Sequence, residues 1–318
     1  MTQSRDNRAL IVAGPTASGK SALALDLARR LGGGVINADS MQLYAELRVL
    51  TARPQAADEA RVPHRLYGVL AARERCSAGR WLAMATAEID AAHGSGRLPV
   101  VVGGTGLYLK ALTRGLAPIP DIPAAVHAAA LALHAELGGA AFRERLAAMD
   151  PETAERLPAG DSQRLVRAYE VMVATGRPLP DWQRAAPQRP LANARVATVV
   201  LDPPRDILIR AIDARLEQMI AADARAEVRD LLALGLDPAL PAMKAVGVKE
   251  LAACIRGSCD IERAAAAAMV ASRRFAKRQR TWIRHQIAAD LTVREQYSER
   301  IWPKIFTFIR QFLLTPAS

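Results

Sequence analysis

Gly14-Pro15-Thr16-Ala17-Ser18-Gly19-Lys20-Ser21 fits the pattern G-x-x-x-x-G-K-[ST] without a gap, and its neighbours decide the fold. Ahead of it, Ala9-Leu10-Ile11-Val12-Ala13 reads as a short buried strand; behind it, Leu23, Leu27 and Leu31 recur at helical spacing. Strand, loop and helix follow in the order a phosphate loop requires. Gly14 and Gly19 admit backbone conformations in which successive N–H groups converge on one anion, and the helix start adds its positive end. Lys20 reaches phosphate oxygens from there, and the Ser21 hydroxyl is the expected ligand of Mg²⁺. The stretch predicts a di- or triphosphate site in an α/β protein with a P-loop NTPase-like parallel sheet core.

Outward from the loop, Val35-Ile36-Asn37-Ala38 reads as a second strand ending in Asp39-Ser40-Met41-Gln42, and Leu98-Pro99-Val100-Val101-Val102 as a third ending in Gly103-Gly104-Thr105-Gly106. Side chains at the carboxyl ends of neighbouring parallel strands face one crevice, so Asp39 and Thr105 are expected near whatever the loop holds. Asp39 reads either as a proton acceptor or metal-water ligand there or as a helix cap, and Thr105 equally as a site hydroxyl or as a cap for the helix through Leu107 and Leu112. An ATP-hydrolysing relative would end the third strand with a Mg²⁺-holding aspartate, and here glycines and a threonine stand instead.

Three prolines, Pro118, Pro120 and Pro123, open a stretch without a convincing strand. The expected organisation is residues 1–120 as the first part of the core, 121–194 as a helical insertion domain, and 195–318 as the second part with a basic C-terminal helix. The core resumes with the strand Arg195–Leu201, followed by helical sequence from Arg205 to Leu234 that carries Arg210 and Arg215.

The chain has 318 residues and a net charge of +11, of which the last 49 residues supply ten Lys or Arg against three acids. Arg273, Lys277, Arg280 and Arg284 fall on one helical stripe, with Phe275, Trp282 and Ile283 placed to dock the helix. Such a stripe suits a polyanion such as RNA; an ordinary solvated helix face is the alternative. The polar start Met1–Arg8 and the lack of an uninterrupted apolar run near eighteen residues predict a cytoplasmic protein with no membrane partner. Cys76, Cys254 and Cys259 complete no metal pattern and read as reduced thiols.

Several stretches together resemble one known family. Besides the phosphate loop, Asn37-Ala38-Asp39-Ser40-Met41-Gln42-Leu43-Tyr44, Pro63-His64-Arg65-Leu66, Val102-Gly103-Gly104-Thr105, Asp161-Ser162-Gln163-Arg164-Leu165-Val166-Arg167-Ala168 and Ala276-Lys277-Arg278-Gln279-Arg280-Thr281-Trp282 look like the motifs of the tRNA dimethylallyltransferase family, in that family's order. The resemblance implies transfer of a dimethylallyl group from dimethylallyl diphosphate to N6 of the adenosine beside the tRNA anticodon, with Mg²⁺ as cofactor; a monomer is the expected form.

By the same resemblance, Lys20, Asp39, Thr105 and Arg215 are the expected catalytic residues, and Gly14 to Ser21 hold the diphosphate. Asp39, Ser40, Met41, Gln42, Thr105, His127, Gln163, Arg164, Leu165, Val166 and Arg167 are the expected tRNA contacts, joined by Arg273, Lys277, Arg280 and Arg284 of the basic stripe read above. His127 stands where the family commonly shows arginine. Two other readings share the loop: a small-metabolite kinase, which would prefer ATP and has little use for the basic helix, and a non-catalytic nucleotide-gated RNA-binding protein, which leaves Asp39 without work.

Overall fold

A computed structural model describes residues 7–185, 190–192 and 194–315. The polar start Met1–Arg8 therefore lies, in its first six residues, outside the described part. The strands are β1 (Arg8–Ala13), β2 (Gly33–Asn37), β3 (His64–Arg65), β4 (Leu98–Gly103), β5 (Arg195–Leu201) and β6 (Leu291–Val293). The helices are α1 (Lys20–Leu31), α2 (Ala56–Glu59), α3 (Ala78–Gly94), α4 (Gly106–Arg114), α5 (Ala124–Ala147), α6 (Pro151–Arg156), α7 (Ser162–Thr175) and α8 (Leu179–Arg184), then α9 (Arg205–Ala221), α10 (Ala224–Ala233), α11 (Val248–Ile255), α12 (Ile261–Gln286) and α13 (Trp302–Leu314).

All six strands run parallel in the order β3-β2-β4-β1-β5-β6. Because successive strand residues point to opposite faces, Leu10 and Val12 enter one apolar cluster with α1 and α13, while Ile11 and Ala13 enter another with α3, α4, α10 and α11. Both faces are thus covered, which explains why the strands read as continuous apolar runs rather than alternating ones.

The chain divides into two compact units, Met1–Thr113 with Pro190–Ser318, and Arg114–Arg189. The second unit has its own core of Ala130, Phe142, Leu146, Ala154, Leu165, Val166 and Ala168. Its α5 is long and apolar enough, by length and composition, to cross a membrane. Gly138 breaks it at φ 72° and ψ 168°. The part before the break rises only about 21 Å, short of a hydrocarbon core of about 30 Å.

Expected and observed elements differ where backbone conformation overrides pattern. The single helix expected from Arg205 to Leu234 is two, because Asp223 adopts φ 62° and restarts α10 with its own side chain accepting from the Ala226 N–H. The second strand, read from Val35, begins two residues earlier, at Gly33. The edge strand β3 lies in the proline-containing stretch between β2 and α3, and β6 with α13 lies in the tail beyond α12.

Candidate active site

The loop from Gly14 to Ser21 joins the carboxyl end of β1 to α1. Gly19 at φ 86° makes the turn into the helix, a left-handed conformation that a side chain strains. Gly19 offers no side chain to cap α1, so among the described residues the first N–H groups of the helix have no side-chain cap. Ser18 is fully buried with its hydroxyl oxygen unpartnered among the described residues. A cradle of uncapped N–H groups beside an unsatisfied buried hydroxyl suits an anion.

Lys20 is 8% exposed, and its Nζ donates to the Pro15 carbonyl at 3.2 Å. Burial pulls its pKa down to about 8, with Asp39 opposing that shift and Arg215 adding to it. Arg215, on α9, donates from Nη1 to Thr16 Oγ1 and from Nη2 to the Thr51 carbonyl, both at 3.3 Å. Burial lowers the pKa of its guanidinium, against the pull of Asp39. The loop's left-handed Ala17 packs on Leu208, Ile212 and Ala276, so α9 and α12 support the loop from behind.

Asp39 and Thr105 stand at the carboxyl ends of the paired strands β2 and β4. The two loops are bonded to each other: Ala38 N donates to the Val102 carbonyl at 2.7 Å, Thr105 N to the Ala38 carbonyl at 3.2 Å, and Ser40 N to Thr105 Oγ1 at 2.9 Å. The Thr105 hydroxyl is thus spent on Ser40 and not on capping α4. Asp39 accepts from the Met41 N–H through Oδ1 at 3.0 Å, which leaves Oδ2 without a hydrogen bond among the described residues. Gln42 points elsewhere, donating to the Thr51 and Ala52 carbonyls. The structure therefore brings Lys20, Asp39, Thr105 and Arg215 to one end of the sheet, with the negative charge of Asp39 felt by both cations.

On α12, the basic stripe is only partly free. Arg273 pairs with Asp213, and Arg280 and Arg284 both pair with Asp202 at the end of β5. Lys277 is exposed and makes no ion pair among the described residues. Arg280 and Arg284, with Arg294, Pro15 and Asp202, line a groove of about 590 Å³. In the second unit, Gln163, Arg164 and Arg167 are exposed on α7, whereas Leu165 and Val166 are core residues and offer an RNA only backbone. His127 Nδ1 lies 2.5 Å from Glu170 Oε2, and Arg167 Nη1 donates to Glu170 Oε1 at 2.6 Å.

Among the described residues no group of three or more His, Cys, Asp or Glu is placed to hold a metal. The donor at hand is the exposed Ser21 hydroxyl at the first turn of α1. That fits a hard ion such as Mg²⁺ ligated chiefly by phosphate oxygens and water.

Sequence reasoning missed three residues that touch the loop. Gln279 Oε1 accepts the Thr16 N–H at 2.8 Å; Gln296 Nε2 donates to the Ala17 carbonyl at 3.3 Å; Tyr297 N donates to the Ser18 carbonyl at 3.3 Å. Gln279 sits inside a quoted motif, so a signal existed; Gln296 and Tyr297 carried none.

The chain is similar to known proteins over most of its length. The IPP transferase family model matches residues 42–286 and the isopentenyl transferase model residues 7–75. The chain is 61% identical over 280 residues to the tRNA dimethylallyltransferase of Rhodospirillum centenum, covering 88% of this chain and 89% of that one. It is 54% identical to that of Paramagnetospirillum magneticum, covering 96% and 97%. Among solved structures, the tRNA isopentenylpyrophosphate transferase of Bacillus halodurans superposes with a TM-score of 0.70 at 29% identity, covering 96% of this chain and 97% of that one. A eukaryotic dimethylallyltransferase acting on tRNA superposes at 0.80 with 22% identity, covering 96% and 80%, a likeness of fold.

Proposed function

The chain belongs to the IPP transferase family and is a tRNA dimethylallyltransferase by activity, and from that premise we propose how its residues divide the work. Dimethylallyl diphosphate places its diphosphate in the cradle of Gly14 to Ser21, and the exocyclic amine of the adenosine beside the anticodon attacks the allylic carbon. The new C–N bond forms as the C–O bond to diphosphate breaks. The amine's surplus proton passes to Asp39, whose Oδ2 has no hydrogen bond among the described residues.

Lys20 and Arg215 flank the loop and stabilise the charge that develops on the departing diphosphate. Mg²⁺, held through Ser21, would supply further neutralisation of that charge. Thr105 holds the Asp39-Ser40 turn in place through Ser40 and so fixes where Asp39 points. The adenosine must leave its stack to react, so the RNA needs a grip outside the chemistry. His127, Gln163, Arg164 and Arg167 in the second unit, with the backbone at Leu165 and Val166, supply that grip, together with Ser40, Met41 and the backbone at Gln42 and with Lys277, Arg273, Arg280 and Arg284 on α12. The enzyme works in the cytoplasm, away from membranes, as a monomer.

The observation that carries this reading is the single sheet end that presents an uncapped phosphate loop, a buried lysine and a free carboxylate oxygen together. Mass spectrometry of an unmodified anticodon stem-loop, incubated with the protein, Mg²⁺ and dimethylallyl diphosphate, tests it. The reading expects one dimethylallyl group on the adenosine beside the anticodon; an unchanged mass with RNA still bound would overturn it in favour of a binding protein.

A further inference from the structure

Gln279 is 6% exposed on an otherwise basic stretch of α12, and both ends of its amide are used. Its Oε1 accepts the Thr16 N–H at 2.8 Å, and its Nε2 donates to the Gly104 carbonyl at 3.1 Å. One side chain therefore spans the phosphate loop and the loop at the end of β4, next to Thr105. Its approach is so close that a Cβ on Gly104 would lie 2.3 Å from Nε2, so the neighbouring loop is shaped to receive this amide. A buried amide with both ends bonded is oriented without ambiguity, since turning it over would set donor against donor and acceptor against acceptor. Thr16 also carries the hydroxyl that accepts from Arg215, so Gln279 and Arg215 hold the same loop residue from two helices.

We propose that Gln279 is a positioning residue for the reaction: it fixes the phosphate loop against the Gly104-Thr105 loop, setting the distance between the bound diphosphate and the Asp39–Thr105 side of the crevice. The inference rests on the reading above, in which the loop holds the diphosphate of the allylic donor. A neutral amide is required there because a carboxylate at the same place sets a negative charge beside the anion site and cannot donate to Gly104 when ionised.

The test compares Gln279→Met and Gln279→Glu with wild type, using Lys20→Ala as the control for the loop itself. Gln279→Met keeps the volume and removes both hydrogen bonds. It should raise KM for dimethylallyl diphosphate about tenfold, the cost of one to two hydrogen bonds, while the Kd for an anticodon stem-loop stays within about twofold. Gln279→Glu, though nearly isosteric, should be worse than Gln279→Met at pH 7.5 and recover part of the loss at pH 6. A purely structural role would make the isosteric variant the milder one at every pH, and that order would overturn the proposal, as would an unchanged KM for the donor.

If Lys20→Ala also leaves that KM unchanged, the assignment of the loop to the diphosphate fails instead. Amide hydrogen exchange on the wild-type protein needs no variant: Thr16 N–H should exchange slowly in the free enzyme, and exchange at the rate of an open loop would contradict the bond to Gln279.

Discussion

The Ser40 N–H donates to Thr105 Oγ1 at 2.9 Å, across 65 residues of sequence, and this bond locks the end of β2 to the end of β4. Asp39 lies one residue before Ser40, so the position of its carboxylate depends on a threonine from another strand. Thr105→Val keeps the shape and removes the acceptor, leaving a half-buried N–H unpaired at a cost of roughly 1–3 kcal/mol. We expect kcat to fall about tenfold and thermal stability to drop by a few degrees, with Thr105→Ser close to wild type in both. Steady-state rates and melting curves on the two variants check this.

Lys20 makes the donor's affinity depend on pH. With its pKa lowered to about 8 by burial, the ammonium is charged below that pH and neutral above it. The diphosphate favours the charged form, so KM for dimethylallyl diphosphate should rise as pH increases through about 8. Lys20→Arg, which stays charged, should lose that rise while lowering the rate. A pH series of kcat/KM for both proteins reads it directly.

Glu170 is 4% exposed and holds both His127 and Arg167. Glu170→Gln leaves Arg167 and His127 without their shared carboxylate. Because both partners are about 42–43% exposed, solvent screens much of the loss, and a destabilisation of about 1–2 kcal/mol is expected rather than the value for a fully buried pair. Stem-loop affinity should weaken several-fold with kcat at saturating RNA unchanged. Fluorescence titration with a labelled stem-loop and denaturant unfolding measure the two effects.

Not every arginine on α12 is equally available to RNA. Lys277 makes no ion pair among the described residues, whereas Arg280 and Arg284 share Asp202. Lys277→Ala should lower the salt-dependence slope of stem-loop binding by about 0.7–0.9, the counterion release of one phosphate contact. Arg280→Ala should change it less, because its loss frees Asp202 to offset Arg284.

What the chain's pattern discloses depends on how far each element repeats. β5 is readable from Arg195 to Leu201 because six residues of Val, Ala, Thr and Leu follow Arg195 and end at Asp202-Pro203-Pro204. β3 has two residues and β6 three, too short for any period, and β3 follows directly on Pro63. Both are edge strands that only their neighbours define. The phosphate loop, Asp39 and Thr105 are legible because strand ends converge in a parallel sheet. The sharing of Asp202 by Arg280 and Arg284 is not, since the partners lie 78 and 82 residues apart. Leu165 and Val166 look like part of an RNA motif but fill the second unit's core, because α7 needs an apolar face against α5. Gln279 stood in plain view within a motif, but nothing in a one-dimensional pattern tells a neutral side chain that turns inward from one that faces solvent.

The central claim is that Asp39 takes the proton from the attacking amine. The measurement that tests it most directly is the single-turnover rate of Asp39→Asn with stem-loop prebound and dimethylallyl diphosphate saturating. The account predicts a rate at least about a hundredfold below wild type, with the Kd for the stem-loop within about threefold. A wild-type single-turnover rate in Asp39→Asn would contradict it and assign the proton to another acceptor.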